Sequence, residues 1–123
     1  MTKSERAEEL FNSGLNCAQA VFAAFCEEYG IDKETALKMT AGMGRGFRSG
    51  EICGAAAGAV MVIGLKHGDD KRMCAAKTDA FLNEFKNANN SIVCRELLEI
   101  RAENKRKCID LVMSAADILE YLL

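Results

Sequence analysis

The sequence predicts an all-α fold, a single-domain bundle of six to seven helices with a glycine-rich loop before a central helix of small residues. Three observations carry this. The 123 residues contain no proline, so nothing forbids a helix interior. No window sustains the period-2 alternation of a half-buried strand. Apolar residues instead recur at helical spacing, between Asn, Asp or Ser at the starts and Gly at the stops.

The elements follow in order. Helix formers cover about Lys3 to Asn12, and Ser13-Gly14 breaks them. Asn16 caps a second helix to Tyr29, with Ala18, Val21, Phe22 and Phe25 on one face and Gly30 as its stop. Asp32 caps a short third helix to about Ala41. Residues 42–50 hold four glycines in nine positions, a density that no helix sustains. A fourth helix runs from about Cys53 to Lys66, ended by Gly68. Asp69 or Asp70 opens a fifth, to about Ala88, and Asn89-Asn90 turns the chain. Ser91 caps a sixth helix from Ile92 to about Arg101. The last runs from about Glu103 to the end, with Cys108, Leu111, Val112, Ala115, Leu119 and Leu122 as its apolar stripe. No linker, repeat or low-complexity tract divides the chain, so residues 1–123 read as one domain.

Composition narrows the function classes. Half of the residues are hydrophobic and the net charge is −2, which suits one packed core and offers no basic stripe for nucleic acid. No stretch reaches the roughly 18 apolar residues of a membrane span. The charged start, Met1 to Arg6, lacks the apolar core of a secretory signal. The expected location is the cytoplasm.

Six cysteines in a reducing compartment favour redox chemistry, catalysis or metal binding over structural disulfides. Placement separates them. Cys17 follows the cap Asn16, Cys53 opens the helix after the glycine loop, and Cys94 falls in the first turn after Ser91. A helix N-terminus carries partial positive charge and unpaired N–H donors, which suit a thiolate or a thiolate ligand. Cys17 and Cys94 are therefore expected to be more acidic than a free thiol. Cys108 heads the inward stripe of the last helix. Cys26 and Cys74 lie in or near mid-helix and read as packing residues. Cys17 and Cys26 are nine residues apart on one expected helix, about 13 Å, beyond disulfide reach. The absence of any CxxC argues against a thioredoxin-type site, a zinc ribbon or a c-type haem. His67, the one histidine, reads as a helix-end or surface residue, and Met39, Met43, Met61, Met73 and Met113 as core filler.

Two glycine features bear on the site. The loop with Arg45 and Arg48 is neither a dinucleotide fingerprint nor a P-loop. It reads as a tight connection admitting Cys53 to a crowded interior, with an anion cradle as the other reading. Gly54, Ala55, Ala56, Ala57 and Gly58 leave the central helix almost bare, so a neighbouring helix or an inorganic group can approach its backbone.

Cys17 in Asn16-Cys17-Ala18-Gln19, then Cys53-Gly54-Ala55-Ala56-Ala57-Gly58, Cys94 in Ser91-Ile92-Val93-Cys94, and Cys108 together resemble the redox-active family named for its C, CGAxxG, C, C pattern. Cys26 and Cys74 stand outside that pattern. The resemblance implies a redox-active protein whose site is Cys17, Cys53, Cys94 and Cys108, with Gly54 and Gly58 beside any cofactor. The pattern also resembles the iron–sulfur portion of split-Soret cytochromes, although this chain has no haem motif. Three readings stay open: dithiol/disulfide pairs, thiolate ligands of a [2Fe–2S] cluster or zinc, and a non-catalytic helical binding module with core cysteines. Neither an electron donor nor an acceptor is named by these residues, and a homo-oligomer stays open.

Overall fold

The structure is a computed structural model and describes the backbone of residues 1–104 and 107–123, with the side chains of 1–99 and 107–123. Seven α-helices are present among the described residues: α1 Lys3–Asn12, α2 Cys17–Phe25, α3 Lys33–Met39, α4 Gly54–His67, α5 Lys71–Asn89, α6 Cys94–Asn104 and α7 Cys108–Leu122. The fold is all-α, as its periodicity and caps require. Thr2, Asn16, Asp32 and Asp70 each accept an N–H at a helix start. Gly30 and Asn90 stop their helices in the left-handed conformation, with φ of 85° and 75°, which these two residue types tolerate.

Helix α4 is the centre. Gly54 to Ala59, Val62 and Ile63 are buried, so α4 is covered on all sides for its first two turns. It packs most closely on α2, and also on α5 and α7; α1 closes the bundle against α2 and α7. Phe22, Phe81, Phe85, Ile63, Val112 and Leu119 are fully buried and fill the interior. The apolar face expected on α2, Ala18, Val21, Phe22 and Phe25, is buried throughout.

Several boundaries differ from expectation. The second helix stops at Phe25 and tightens into a 3₁₀ turn over Cys26–Tyr29. Residues 91–93 do not begin α6. Ile52 and Val93 form an isolated antiparallel bridge, and the Ser91 hydroxyl accepts the Val93 N–H at 3.0 Å instead of capping a helix at Ile92. Helix α6 therefore starts at Cys94 and continues to Asn104. The expected start of the last helix near Glu103 gives way to α7 from Cys108, and residues 105–106 lie outside the described residues. Met39 and Met73 are 51% and 43% exposed, so they are not core filler: each sits on the outer face of its helix. His67 ends α4, and its buried Nε2 has no hydrogen-bond partner among the described residues.

Gly58 sets how closely α2 and α4 approach. A Cβ there would lie 2.8 Å from the Ala18 carbonyl oxygen and 3.2 Å from its Cα, too close for any side chain, and those atoms are backbone that cannot rotate away. Gly58→Leu is expected to destabilise the protein by at least about 1–3 kcal/mol, the usual cost of overpacking. An exposed helical glycine would gain up to about 1 kcal/mol from the same change. Urea titration decides the sign, and a variant as stable as the parent contradicts the close contact.

Candidate functional site: a cavity lined by four cysteines

Each of the four motif cysteines sits at a helix start. Cys17 is the first residue of α2, Cys53 caps α4, and Cys94 and Cys108 are the first residues of α6 and α7. The sequence reading found three; the shifted starts of α6 and α7 make it four. All four line one cavity of about 500 Å³. Cys26 and Cys74 do not line it. Cys26 is fully buried elsewhere in the core, its thiol directed at the Ala23 carbonyl, and Cys74 is half-buried on α5 against that core.

Local devices hold each cysteine in place. Asn16 and Gln19 form a reciprocal cap at the start of α2, and the Asn16 side-chain amide reaches the Thr40 and Ala41 carbonyls at 3.2 Å. Gln19 adds a 3.0 Å bond to the Leu37 carbonyl. Cys17 is thus fixed to the end of α3 as well as to its own helix. The Ile52–Val93 bridge positions the next pair. The Cys53 N–H donates to the Ile92 carbonyl at 2.8 Å, and the Cys94 N–H to the Glu51 carbonyl at 2.5 Å. Along extended chain, side chains alternate between faces, so Cys53 and Cys94 emerge on the same face of this short ribbon. The exposed Arg95–Glu51 ion pair, 2.9 Å, ties the same segments. At the start of α7 the Lys107 N–H donates to Asp110 Oδ2 at 2.8 Å, satisfying an orphan donor beside Cys108.

The glycines make the convergence possible. Gly54 lines the cavity, and a Cβ on it would lie 3.1 Å from the Met43 carbonyl oxygen and 3.4 Å from the Cys17 Cβ. Gly58 is not part of the lining; it acts one turn further on, at the α2 contact. Gly46, which the sequence reading did not single out, is as constrained: its φ is +60°, and a Cβ would lie 2.7 Å from the Cys94 Cβ. Around it Arg45, Phe47 and Arg48 also have positive φ, of 54°, 60° and 63°. Four consecutive left-handed residues make one left-handed turn, which costs an L-residue about 1–2 kcal/mol each. Such strain persists only where the surroundings impose it, and here the bridge and the start of α6 do. Both arginines line the cavity.

Cys17 and Cys53 do not carry the lowered pKa that a helix start favours. The Cys17 thiol is hydrogen-bonded with that of Cys108, and this contact, then burial, then the nearby Cys108, Cys53 and Cys94, push its pKa well above the ordinary range. The expectation of an acidic Cys17 is therefore overturned. Burial likewise pushes the Cys53 thiol up, against the opposing pull of the Ala56 and Ala55 amides. Among the described residues all six cysteines are free thiols, and no group of three or more His, Cys, Asp or Glu side chains stands close enough to hold a metal ion.

The pKa directions have a consequence for stability. Cys17 and Cys53 stay protonated in the folded, reduced protein at a pH where the unfolded chain releases those protons. Their stabilising contribution is therefore complete below about pH 8.5, the free-thiol value, and declines above it. Melting of the reduced, metal-free protein between pH 7 and 10 is expected to fall more steeply than that of a Cys17→Ala, Cys53→Ala variant. Equal slopes would mean that the two thiols are not shifted upward.

Comparison with known proteins bears on these cysteines directly. No curated protein and no solved structure matches the chain. Residues 15–122 match the family described as "Putative redox-active protein (C_GCAxxG_C_C)". The family's description writes the central motif with glycine before cysteine, whereas here Cys53 precedes Gly54. The matched span begins just before Cys17 and ends after Cys108. With nearly the whole chain covered, this protein belongs to that redox-active family.

Proposed function

We propose that the protein is a thiol redox protein in which the Cys17–Cys108 pair cycles between dithiol and disulfide. The observation that carries the reading is the convergence of Cys17, Cys53, Cys94 and Cys108 on one cavity, in which Cys17 and Cys108 interact most strongly. One thiol of the pair attacks and the other resolves, here Cys108 and Cys17 respectively. The Cys108 thiolate attacks an external disulfide, forming a mixed disulfide and releasing one half as a thiolate. Cys17, losing its proton to that leaving group, then attacks the Cys108 sulfur and releases the second half. Two electrons pass from the protein to the substrate, and a Cys17–Cys108 bond replaces the external one. This reading places the protein in a reducing cytoplasm, where the thiol pool restores the dithiol.

A second reading uses the same cysteines as ligands of a [2Fe–2S] cluster or zinc. The donor chemistry suits it: among the described residues four thiols and no carboxylate or imidazole line the cavity. The spacing does not, since no three of the described groups are within metal-sharing reach. A bound metal would require the sulfurs to close inward, and no step is assigned to one.

One experiment separates the two. The protein is purified without air, its metal content and visible spectrum are recorded, and its thiols are counted by mass spectrometry before and after mild oxidation. The redox reading expects a colourless, metal-free protein that loses two hydrogens on oxidation, with Cys17 and Cys108 in one cross-linked peptide and Cys26 and Cys74 free. Stoichiometric iron and sulfide with visible absorption would replace it by the cluster reading. Six free thiols after oxidation, with no metal, would leave the cysteines as core residues.

A further inference from the structure

The cavity is larger than its cysteines require. Its volume of about 500 Å³ lies in the range of small-molecule sites, about 300–1,000 Å³, while a metal ion held by four thiolates at about 2.3 Å fills a fraction of that. The remaining lining is of two kinds. Phe11, Leu15, Leu97 and Leu111 form an apolar wall, and Leu98, 43% exposed, continues it to the rim. Arg45 and Arg48 form the other side. Both are exposed, and among the described residues neither guanidinium has an ion pair or hydrogen bond. Arg95, by contrast, is satisfied by Glu51 and the Gly50 carbonyl. The left-handed turn that costs backbone strain thus presents two unneutralised guanidiniums beside the thiols. Among the described residues no carboxylate lines the cavity to answer them, and four helix starts add partial positive charge.

We propose that this cavity binds a small disulfide carrying a carboxylate and an apolar body, with Arg45 and Arg48 taking the carboxylate. The inference rests on the thiol redox reading and names its substrate class. The apolar wall takes the organic body, and the guanidiniums, which match a carboxylate bidentately, turn the S–S bond toward the cysteines. The exchange is the balanced one already described: one protein S–S bond forms, the substrate S–S bond breaks, two electrons move to the substrate, and two substrate thiols leave with the protein's two thiol protons.

Two arms test this on the full-length reduced protein. The first titrates 2-nitrobenzoate, an unreactive aromatic carboxylate, by calorimetry. Binding to the parent is expected, together with its loss in an Arg45→Gln, Arg48→Gln variant; no binding to the parent overturns the inference whatever the thiols do. The second compares exchange rates with 5,5′-dithiobis(2-nitrobenzoate), which is carboxylated, and hydroxyethyl disulfide, which is neutral. The ratio of the two rates is expected to fall at least about tenfold in the arginine variant, equivalent to 1.4 kcal/mol. It should stay at the parent value in Lys71→Gln, Arg72→Gln, which removes the same charge from the exposed first turn of α5. An equal fall in both variants would show a general field and overturn the site. If neither disulfide oxidises Cys17 and Cys108 while 2-nitrobenzoate binds, the redox reading fails and the carboxylate site stands.

Discussion

The contact between Gly58 and the backbone of Ala18 is the constraint on which the site depends. It lets α4 lie against α2 at a distance that no side chain at position 58 would allow. Because the two helices are so close, their starts are also close, and Gly54 falls beside Cys17. The motif cysteine at the head of α4 is thereby delivered to the one at the head of α2. Glycine costs a helix up to about 1 kcal/mol in propensity. Two of them in the first five residues of the central helix are tolerated because burial of α4 on every side offsets that cost.

The second pair of cysteines reaches the cavity by different physics. Neither Cys94 nor Cys108 is delivered by the Gly58 contact. Cys94 is brought in by the two backbone hydrogen bonds of the Ile52–Val93 bridge, and Cys108 by the docking of α7 along α1, α2 and α5. The site therefore joins a helix–helix contact, a short ribbon and the end of the chain. The left-handed turn at Arg45–Arg48 is the joint between them: Gly46 must lie against the Cys94 Cβ for the loop to reach the bridge at all. The residues flanking that glycine take up the strain.

How much of this was legible in the sequence depends on how local each cause is. Caps, stops and apolar periodicity act within a few residues, so the helix order and the faces of α2 and α7 could be read directly. The identity of the four cysteines followed from motif spacing, and Gly58 from the absence of side chains in the central helix. The bridge could not be read, because its partners, 52 and 93, are far apart in sequence, and Ser91 looked like a helix cap. Its true role, accepting the Val93 N–H, displaced α6 by two residues and put Cys94 at the helix start. Met39 and Met73 were misassigned because helical position alone does not say which side meets a neighbour.

The sign of the Cys17 shift has the same origin. From sequence, a helix start argues for a stabilised thiolate. In the fold, the same convergence that brings four helix starts together also buries the thiols and sets them against one another. Partial charges at helix ends are each worth about 0.3–1 kcal/mol at the surface, whereas placing several thiolates in one poorly hydrated cavity adds desolvation and mutual repulsion. At Cys17 and Cys53 the second effect wins, and these two rest as thiols. Among the described residues, no carboxylate of the cavity lining answers the positive field of the helix starts and of Arg45 and Arg48. In the proposed exchange, negative charge that enters from outside or forms on a sulfur would meet donors already in position.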